Sequence, residues 1–438
     1  MEVVNQRIEM ESIALYLAEI TSVFKKLEDE HKGNRWDFSR RASCILTFPK
    51  IIVLVLSLVS SGKDGTDTHI RIFLKHSRRS GLWSETRTVK RDAVNKARRK
   101  IHWSIFSNLL RYVVYLAFDV WPDSPKYTYK GLSVYSVDGS KYTLPSSSEL
   151  REEFDPDSGL ENAGKGHFPQ CLVSTAYDVF RRIPVARTIT PYGTSERKEA
   201  EKMIPCIPNG IIVYDRGYPS YEIFLFHNKN YSGYYIFRCA TSNTFPAVEK
   251  FMSSRRVDQI IHISPSNSYK EKVSAQERRN LRPIRIRALK VKNDAGETVL
   301  LLTNLFDRKT YLRSEIGELY RARWEVESYY RDEKVTCEIE AFRSKNGNGI
   351  RQELLAATVM SVIARTLMVL SGDIYPYQSS VLDDGVKSEH SIEESESCSK
   401  STSEDFSARS RQKKVNSGAS VQTRNKKPVS RGSRSCSG

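Results

Sequence analysis

Residues 210–214 read GIIVY, and this short run limits the fold more than any other stretch of the chain. Five apolar residues without alternation read as a buried strand, of the kind that sits inside an α/β sheet. Asp215-Arg216-Gly217-Tyr218 follows at once, which puts a carboxylate at the strand tip. Leu132–Val137 alternates apolar and polar residues and meets Asp138-Gly139-Ser140, a second carboxylate at a strand end. A strand fixes such an oxygen, and the glycine lets a backbone or ligand come close. Asp-Gly is equally an ordinary hairpin turn. Around these two segments, strand and helix alternate. Gln170–Val179 and Ile183–Thr190 read as strands joined by a tight basic turn, with Asp178 mid-pattern and structural. Ser195–Met203 and Tyr221–His227 read as helices, and Ser232–Arg238 as a strand. From about residue 241 to 305 the texture is β-rich, with a turn at Asp294-Ala295-Gly296.

The stretch Tyr320–Lys334, YRARWEVESYYRDEK, reads as one helix. At 100° per residue, Tyr320, Arg323, Glu327 and Lys334 fall within roughly 60° of each other, and Arg331 joins them. Cations then cluster around a single central carboxylate, a face suited to an anionic polymer beside a metal-binding acid. The plainer reading pairs Glu327 with Arg323 or Arg331 at i,i+4 on a solvated helix.

Residues 1–125 read as mostly helical. Glu9–Leu27 carries helical apolar spacing, and Phe48–Val59 reads as a buried helix whose β-branched content also allows a strand. Thr88–Ala117 is basic at its start, with Lys96, Arg98 and Arg99 among six cations, and apolar along one stripe. A basic helix in a small helical domain is a common DNA contact, and a solvated basic face is the alternative. Ile350–Leu370 forms a last amphipathic helix. Beyond Gly372, eight acids and two lysines between 382 and 406 give way to nine Lys or Arg with no acid. Serine is abundant there and large apolar residues are few, so 373–438 reads as a disordered Ser-rich tail.

The formal charge of +17 favours a polyanion, with nucleic acid ahead of an anionic membrane surface. The seven cysteines are scattered and form no C-x-x-C, so neither a zinc knuckle nor a disulfide framework is supported, and a reducing cytoplasm suits them. The longest apolar run, Ile51–Val59, is far short of the roughly 20 residues that span a bilayer, so no membrane is expected. The acidic, polar N-terminus argues against a signal peptide.

Asp138, Asp215 and Glu327 are hard oxygen ligands with no His or Cys partner, a set suited to Mg²⁺ or, as a substitute, Mn²⁺. The spacing Tyr320-x2-Arg323-x3-Glu327-x6-Lys334 resembles the Tyr-Arg-Glu-Lys signature of bacterial insertion-sequence DDE transposases of the insertion sequence four family. Asp138 in VDGS and Asp215 in YDRGY look like that family's catalytic aspartates, and LLTNLFDRKTY, EAFRSK, GIRQELLAA and VNKARRKI are also similar. The resemblance covers roughly residues 40–370. It implies an RNase H-like catalytic core at 130–372 with a β-rich insertion at about 241–305, preceded by a helical DNA-binding domain. It further implies Mg²⁺-dependent cleavage at terminal inverted repeats and joining of 3′-hydroxyls to target DNA. Asp138, Asp215 and Glu327 would then be the metal-binding triad, with Tyr320, Arg323 and Lys334 on the DNA end. A homodimer on DNA and a bacterial cytoplasmic, nucleoid-associated location follow from the same resemblance. The long acidic tail departs from the family's pattern. The rival readings are an RNase H-like nuclease without strand transfer and an inactive DNA-binding copy.

Overall fold

In the computed structural model, the GIIVY run is the strand β4 (Gly210–Tyr214), buried along its whole length. The structure describes residues 2–31, 45–59, 65–79, 81, 88–122, 124–157 and 168–372. The expected disordered tail, 373–438, lies outside the described residues.

Parallel neighbours flank β4 on both sides: β1 (Ser133–Thr143) and β5 (Tyr234–Cys239). The full sheet has eight strands in the order β3-β2-β1-β4-β5-β8-β7-β6. β2 (Gln170–Asp178) and β3 (Ile183–Pro191) extend one side as an antiparallel meander. β8 (Thr298–Thr303), β7 (Ile284–Lys292) and β6 (Asp258–Ile263) extend the other, again antiparallel. The expected β-rich segment therefore continues the main sheet. It is also less purely β than its sequence texture, since it holds three short helices.

The helices, in chain order, are α1 (Glu2–His31), α2 (Phe48–Val59), α3 (Thr66–Arg79), α4 (Arg91–Lys100), α5 (Ser104–Val120), α6 (Ser148–Phe154) and α7 (Glu196–Met203). There follow α8 (Tyr221–Asn230), α9 (Pro246–Ser253), α10 (Asn267–Lys272), α11 (Ala275–Asn280), α12 (Arg313–Arg321), α13 (Trp324–Arg331) and α14 (Gly347–Leu370). Local chemistry fixes several starts. Ser220 accepts from the Ile223 N–H at the head of α8, Asn346 accepts from Gly349 at the head of α14, and Ser274 with Glu277 forms a capping box at α11. Phe48–Val59 is helical, as its length of twelve residues favours over a strand.

α14 is a core helix. It packs against α2, α5 and β3, and Leu354, Leu355, Val359 and Val362 are buried in the core that also holds Leu27, Ile51 and Val113. It is the one helix among the described residues long and apolar enough to cross a membrane, and most of its apolar window is buried inside the fold.

Three expectations change. The segment Thr88–Ala117 is two helices, because Ile101–Trp103 breaks the backbone between α4 and α5. Asp138 does not end its strand: β1 runs on to Thr143, because β2 keeps pairing past the point where β4 stops. The stretch 320–334 is not one regular helix. Around Ala322–Arg323 the N–H groups of Arg323, Glu325 and Val326 bond three residues back, which tightens the chain. From Asp332 to Thr336 it loosens into a π turn, closed by Cys337 N–H on the Asp332 carbonyl at 3.0 Å. A constant 100° per residue therefore does not describe where these side chains point.

Candidate active site

The parallel register of β1 and β4 ends at Val137 opposite Tyr214. Asp138 and Asp215 are the next residues on each strand, so two carboxylates leave adjacent strands at one level. Strands in a sheet lie roughly 4.8 Å apart, so the sheet itself brings the two together.

Helices α12 and α13 are clamped over this end. The Tyr320 hydroxyl donates to Asp215 Oδ1 at 2.9 Å. The Tyr330 hydroxyl meets the Asp138 carbonyl at 2.8 Å, and the Ser136 hydroxyl donates to the Arg323 carbonyl at 3.3 Å. The Arg323 guanidinium, 3% exposed, pairs with Glu327 Oε1 at 2.7 Å. Arg238 stands 3.7 Å from Asp215 Oδ1. Beyond the π turn, Lys334 Nζ donates to Ser140 Oγ and to the Lys141 carbonyl, each at 2.7 Å. The turn is anchored from below by Glu333, which accepts from Arg187 at 2.7 Å and from the Tyr329 and Tyr142 hydroxyls.

The electrostatics separate the two aspartates. Burial pushes the Asp138 carboxyl up to about 7, and the nearby Glu196 and Glu327 add to this against the pull of Arg323 and the Gly139 N–H. Burial also raises Asp215, but the Arg216 N–H, Arg323, Tyr320 and Arg238 together outweigh it and hold the group below the usual range. Burial opposes the charge of Arg323, and Tyr320, Asp215, Glu327 and Asp138 more than compensate. Burial lowers Lys334.

Residues 129–363 match the model of the family described as "Transposase DDE domain". The chain belongs to this transposase family. "Transposase InsG for insertion sequence element IS4" of Escherichia coli (strain K12) is 23% identical over 285 residues, 64% of this chain and 62% of that protein. "Putative transposase y4zB" of Sinorhizobium fredii is 39% identical over 83 residues, 19% of this chain and 22% of that one. The chain thus spans less than two thirds of the length of these relatives. A cryo-EM structure of the piggyBac transposase synaptic complex with hairpin DNA aligns over 84% of this chain and 75% of that one, with a TM-score of 0.41 and 10% identity. The resemblance to insertion-sequence-four DDE transposases read from the Tyr-Arg-Glu-Lys spacing is borne out by the family match and the first relative.

In this DDE domain, Asp138, Asp215 and Glu327 gather around Arg323, and Tyr320 joins them through Asp215. Arg331 is exposed, and among the described residues its guanidinium hydrogen-bonds only to Ser328 Oγ at 3.4 Å, so the π turn sends Lys334 to β1 while Arg331 faces outward. On α4, Lys96 and Arg99 are exposed. Arg98 is a correction: it is 6% exposed, donates to Gln352 Oε1 at 3.1 Å and pairs with Glu353 at 3.0 Å, so it ties α4 to α14 and offers nothing to DNA. Arg99 opens on a polar cavity of about 460 Å³, whose lining also includes Arg98 itself, Arg91, Asn95, Arg343 and Lys345.

Sequence reasoning passed over Glu196. It starts α7, accepts from the Tyr218 hydroxyl at 3.2 Å, and lies so close over Gly139 that an added Cβ would meet its Cδ at 2.8 Å. That is the close approach that the glycine after Asp138 permits. A glutamate in a charged helix gives no signal of this in one sequence.

The donor set is carboxylate oxygen throughout, which fits a hard divalent cation. Yet no three Asp, Glu, His or Cys side chains among the described residues are close enough to hold an ion as they stand. Arg323 is paired with one of the acids and influences the other two.

Proposed function

We propose that this chain is a DNA transposase that binds terminal inverted repeats, cleaves DNA strands and joins 3′-hydroxyl ends to target DNA. The observation that carries this reading is the clamp of α12 and α13 over the level at which Asp138 and Asp215 leave the sheet, with Glu327 on the same helices. The three-strand meander followed by two parallel strands, β3-β2-β1-β4-β5, supports an RNase H-like core for 130–372. Residues 1–125 would form the helical DNA-binding region.

Asp138, Asp215 and Glu327 would hold Mg²⁺, with Mn²⁺ as a substitute. Bound there, two divalent ions would activate a water or a 3′-hydroxyl and stabilise the leaving oxygen. The chain's own groups do the rest. Tyr320 fixes the orientation of Asp215 and, behind the Arg216 N–H and Arg323 and ahead of Arg238, helps to keep it ionised. Lys334 and Arg331 flank the acids as phosphate contacts, and phosphoryl transfer depends most on such positioning and charge neutralisation. Lys96 and Arg99 hold the duplex farther out, through charge alone. Two DNA ends must meet before joining, so the working form on DNA is a homodimer, in a bacterial cytoplasm beside the nucleoid.

The test is strand transfer. The protein is given a pre-cut duplex carrying the element's own end and a supercoiled plasmid, with Mg²⁺. Covalent joining of the end to relaxed plasmid supports the reading. Nicking of the duplex without any joined product supports a nuclease of the same fold instead.

A further inference from the structure

Arg323 differs from the other deeply buried arginines of this fold. Arg187 donates to Thr358 Oγ1 at 2.6 Å and to the Leu354 carbonyl as well as to Glu333. Arg287 donates to the carbonyls of Leu305 and Tyr311 as well as to Asp258. Arg98 is bonded to Gln352 and the Gly349 carbonyl besides Glu353. Each is held by neutral groups as well as by its carboxylate. Among the described residues, the Arg323 side chain bonds only to Glu327, and its Nε, like that of Arg187, has no hydrogen-bond partner. The rest of its surroundings are ring faces: Tyr320 at 5.9 Å and Trp324 at 5.1 Å from the guanidinium carbon. A planar fork with five donors can hold far more than this.

The acids tell the same story from the other side. Three carboxylates act on Arg323, they do not form a ready metal site, and one of them, Glu327, is held by the guanidinium. Glu327 is 36% exposed, and the indole of Trp324 beside it is 59% exposed, so the pair lies at the rim of the site and not in its depth.

We propose that Arg323 is the site's internal counter-ion: it holds Glu327 until a DNA phosphate takes the guanidinium, so that DNA and divalent metal bind cooperatively. This rests on Glu327 being a metal ligand, as argued above. The guanidinium trades one carboxylate for one phosphate, and the face of Trp324 lies beside it as it turns outward. Coupling of this kind is reciprocal, so metal tightens DNA to the same extent. Cleavage without a bound end is suppressed because the acid set is incomplete until the end is in place.

The experiment is Mn²⁺ binding to the full chain, read by the electron paramagnetic resonance of free Mn²⁺, with and without a duplex carrying the element's end. The native protein is expected to bind Mn²⁺ about tenfold more tightly with DNA. Arg323→Gln is expected to bind it about tenfold more tightly than native without DNA, and to gain little more when DNA is added. Arg238→Gln removes an equal charge beside Asp215 without touching Glu327, and is expected to change affinity much less. The proposal is overturned if Arg323→Gln without DNA binds no more tightly than native, or if Arg238→Gln matches it. Thermal stabilisation by Ca²⁺, read on the same variants, keeps the test valid if Arg323→Gln is poorly folded at rest: the metal-dependent gain must be larger in that variant than in native. Glu327→Gln separates the two levels. If it leaves Mn²⁺ binding unchanged, the ligand assignment itself fails; if it weakens binding while Arg323→Gln does nothing, only the counter-ion role fails.

Discussion

Glu333→Gln should destabilise the whole sheet-and-helix core while leaving every catalytic candidate in the sequence. Arg187 is fully buried and Glu333 is 5% exposed. The carboxylate takes two guanidinium N–H groups and the Tyr329 and Tyr142 hydroxyls. The amide keeps the shape but leaves the guanidinium charge buried without its counter-ion, which costs about 3–5 kcal/mol. For roughly 300 folded residues at about 2.1 cal/mol/K each, the entropy of unfolding is about 0.6 kcal/mol/K, so the midpoint should drop by about 5–8 °C. Arg187→Met with Glu333→Leu removes both charges and should recover most of that loss. Burial raises the Glu333 carboxyl, but Arg187 and the two hydroxyls outweigh it, so its folded pKa lies below the ordinary value. The native advantage is therefore present above the ordinary carboxylate range and fades as pH falls through the folded value. The assay is calorimetric unfolding of native, single and double variants at pH 7.5 and at pH 4. A Glu333→Gln midpoint within 1 °C of native, on the order of 0.6 kcal/mol, would refute the reasoning. Because the pair also anchors the turn that carries Lys334, the single variant should bind DNA more weakly even well below its midpoint.

Other outcomes follow from the same geometry. Tyr320→Phe keeps the ring and loses the hydroxyl on Asp215; a hydrogen bond to a charged group contributes about 1.5–3 kcal/mol, so the unfolding midpoint should fall by about 2–5 °C, and cleavage measured well below it should fall roughly 10- to 100-fold. In chelated buffer Asp138→Asn should stabilise the protein: the folded pKa of about 7 lies above the ordinary 3.8, so ionisation costs stability as pH rises between them. The gain should be absent near pH 4, grow to on the order of 4 kcal/mol above pH 7 and then stay level, as denaturant titrations at several pH values would measure. Arg99→Ala or Lys96→Ala should each reduce the salt slope of DNA binding by about one, while Arg98→Ala should lower the unfolding midpoint and leave that slope alone, as anisotropy titrations against salt will separate.

Much of the site was legible because strands advertise their ends. The unbroken GIIVY run fixed β4, and Asp215 was visible as the first polar residue after it. Asp138 was found for a partly mistaken reason: it follows the point where β4 stops pairing, but β2 keeps the strand going, and a pairing partner far along the chain leaves no mark on local alternation. The stretch 320–334 reads as one regular helix in the sequence, and the structure breaks that regularity at both ends. Tightening at Ala322–Arg323 and loosening at Asp332–Thr336 depend on Ser136, Tyr142 and Arg187, all on distant strands, so one helical period could not place Arg331 and Lys334 separately. Arg98 looked the same as Lys96 and Arg99 in a basic run, and only the tertiary partner Glu353 distinguishes it. Glu196 carried no sequence signal at all, since its importance comes from lying over Gly139.

The most direct measurement is Mg²⁺-dependent cleavage of a labelled duplex bearing the element's terminal repeat, native protein against Glu327→Gln. The account predicts that native protein nicks at the repeat boundary, and that the variant binds the duplex but leaves it uncut. Equal cleavage by both would contradict the placing of Glu327 in the catalytic set, and with it the reading of the site.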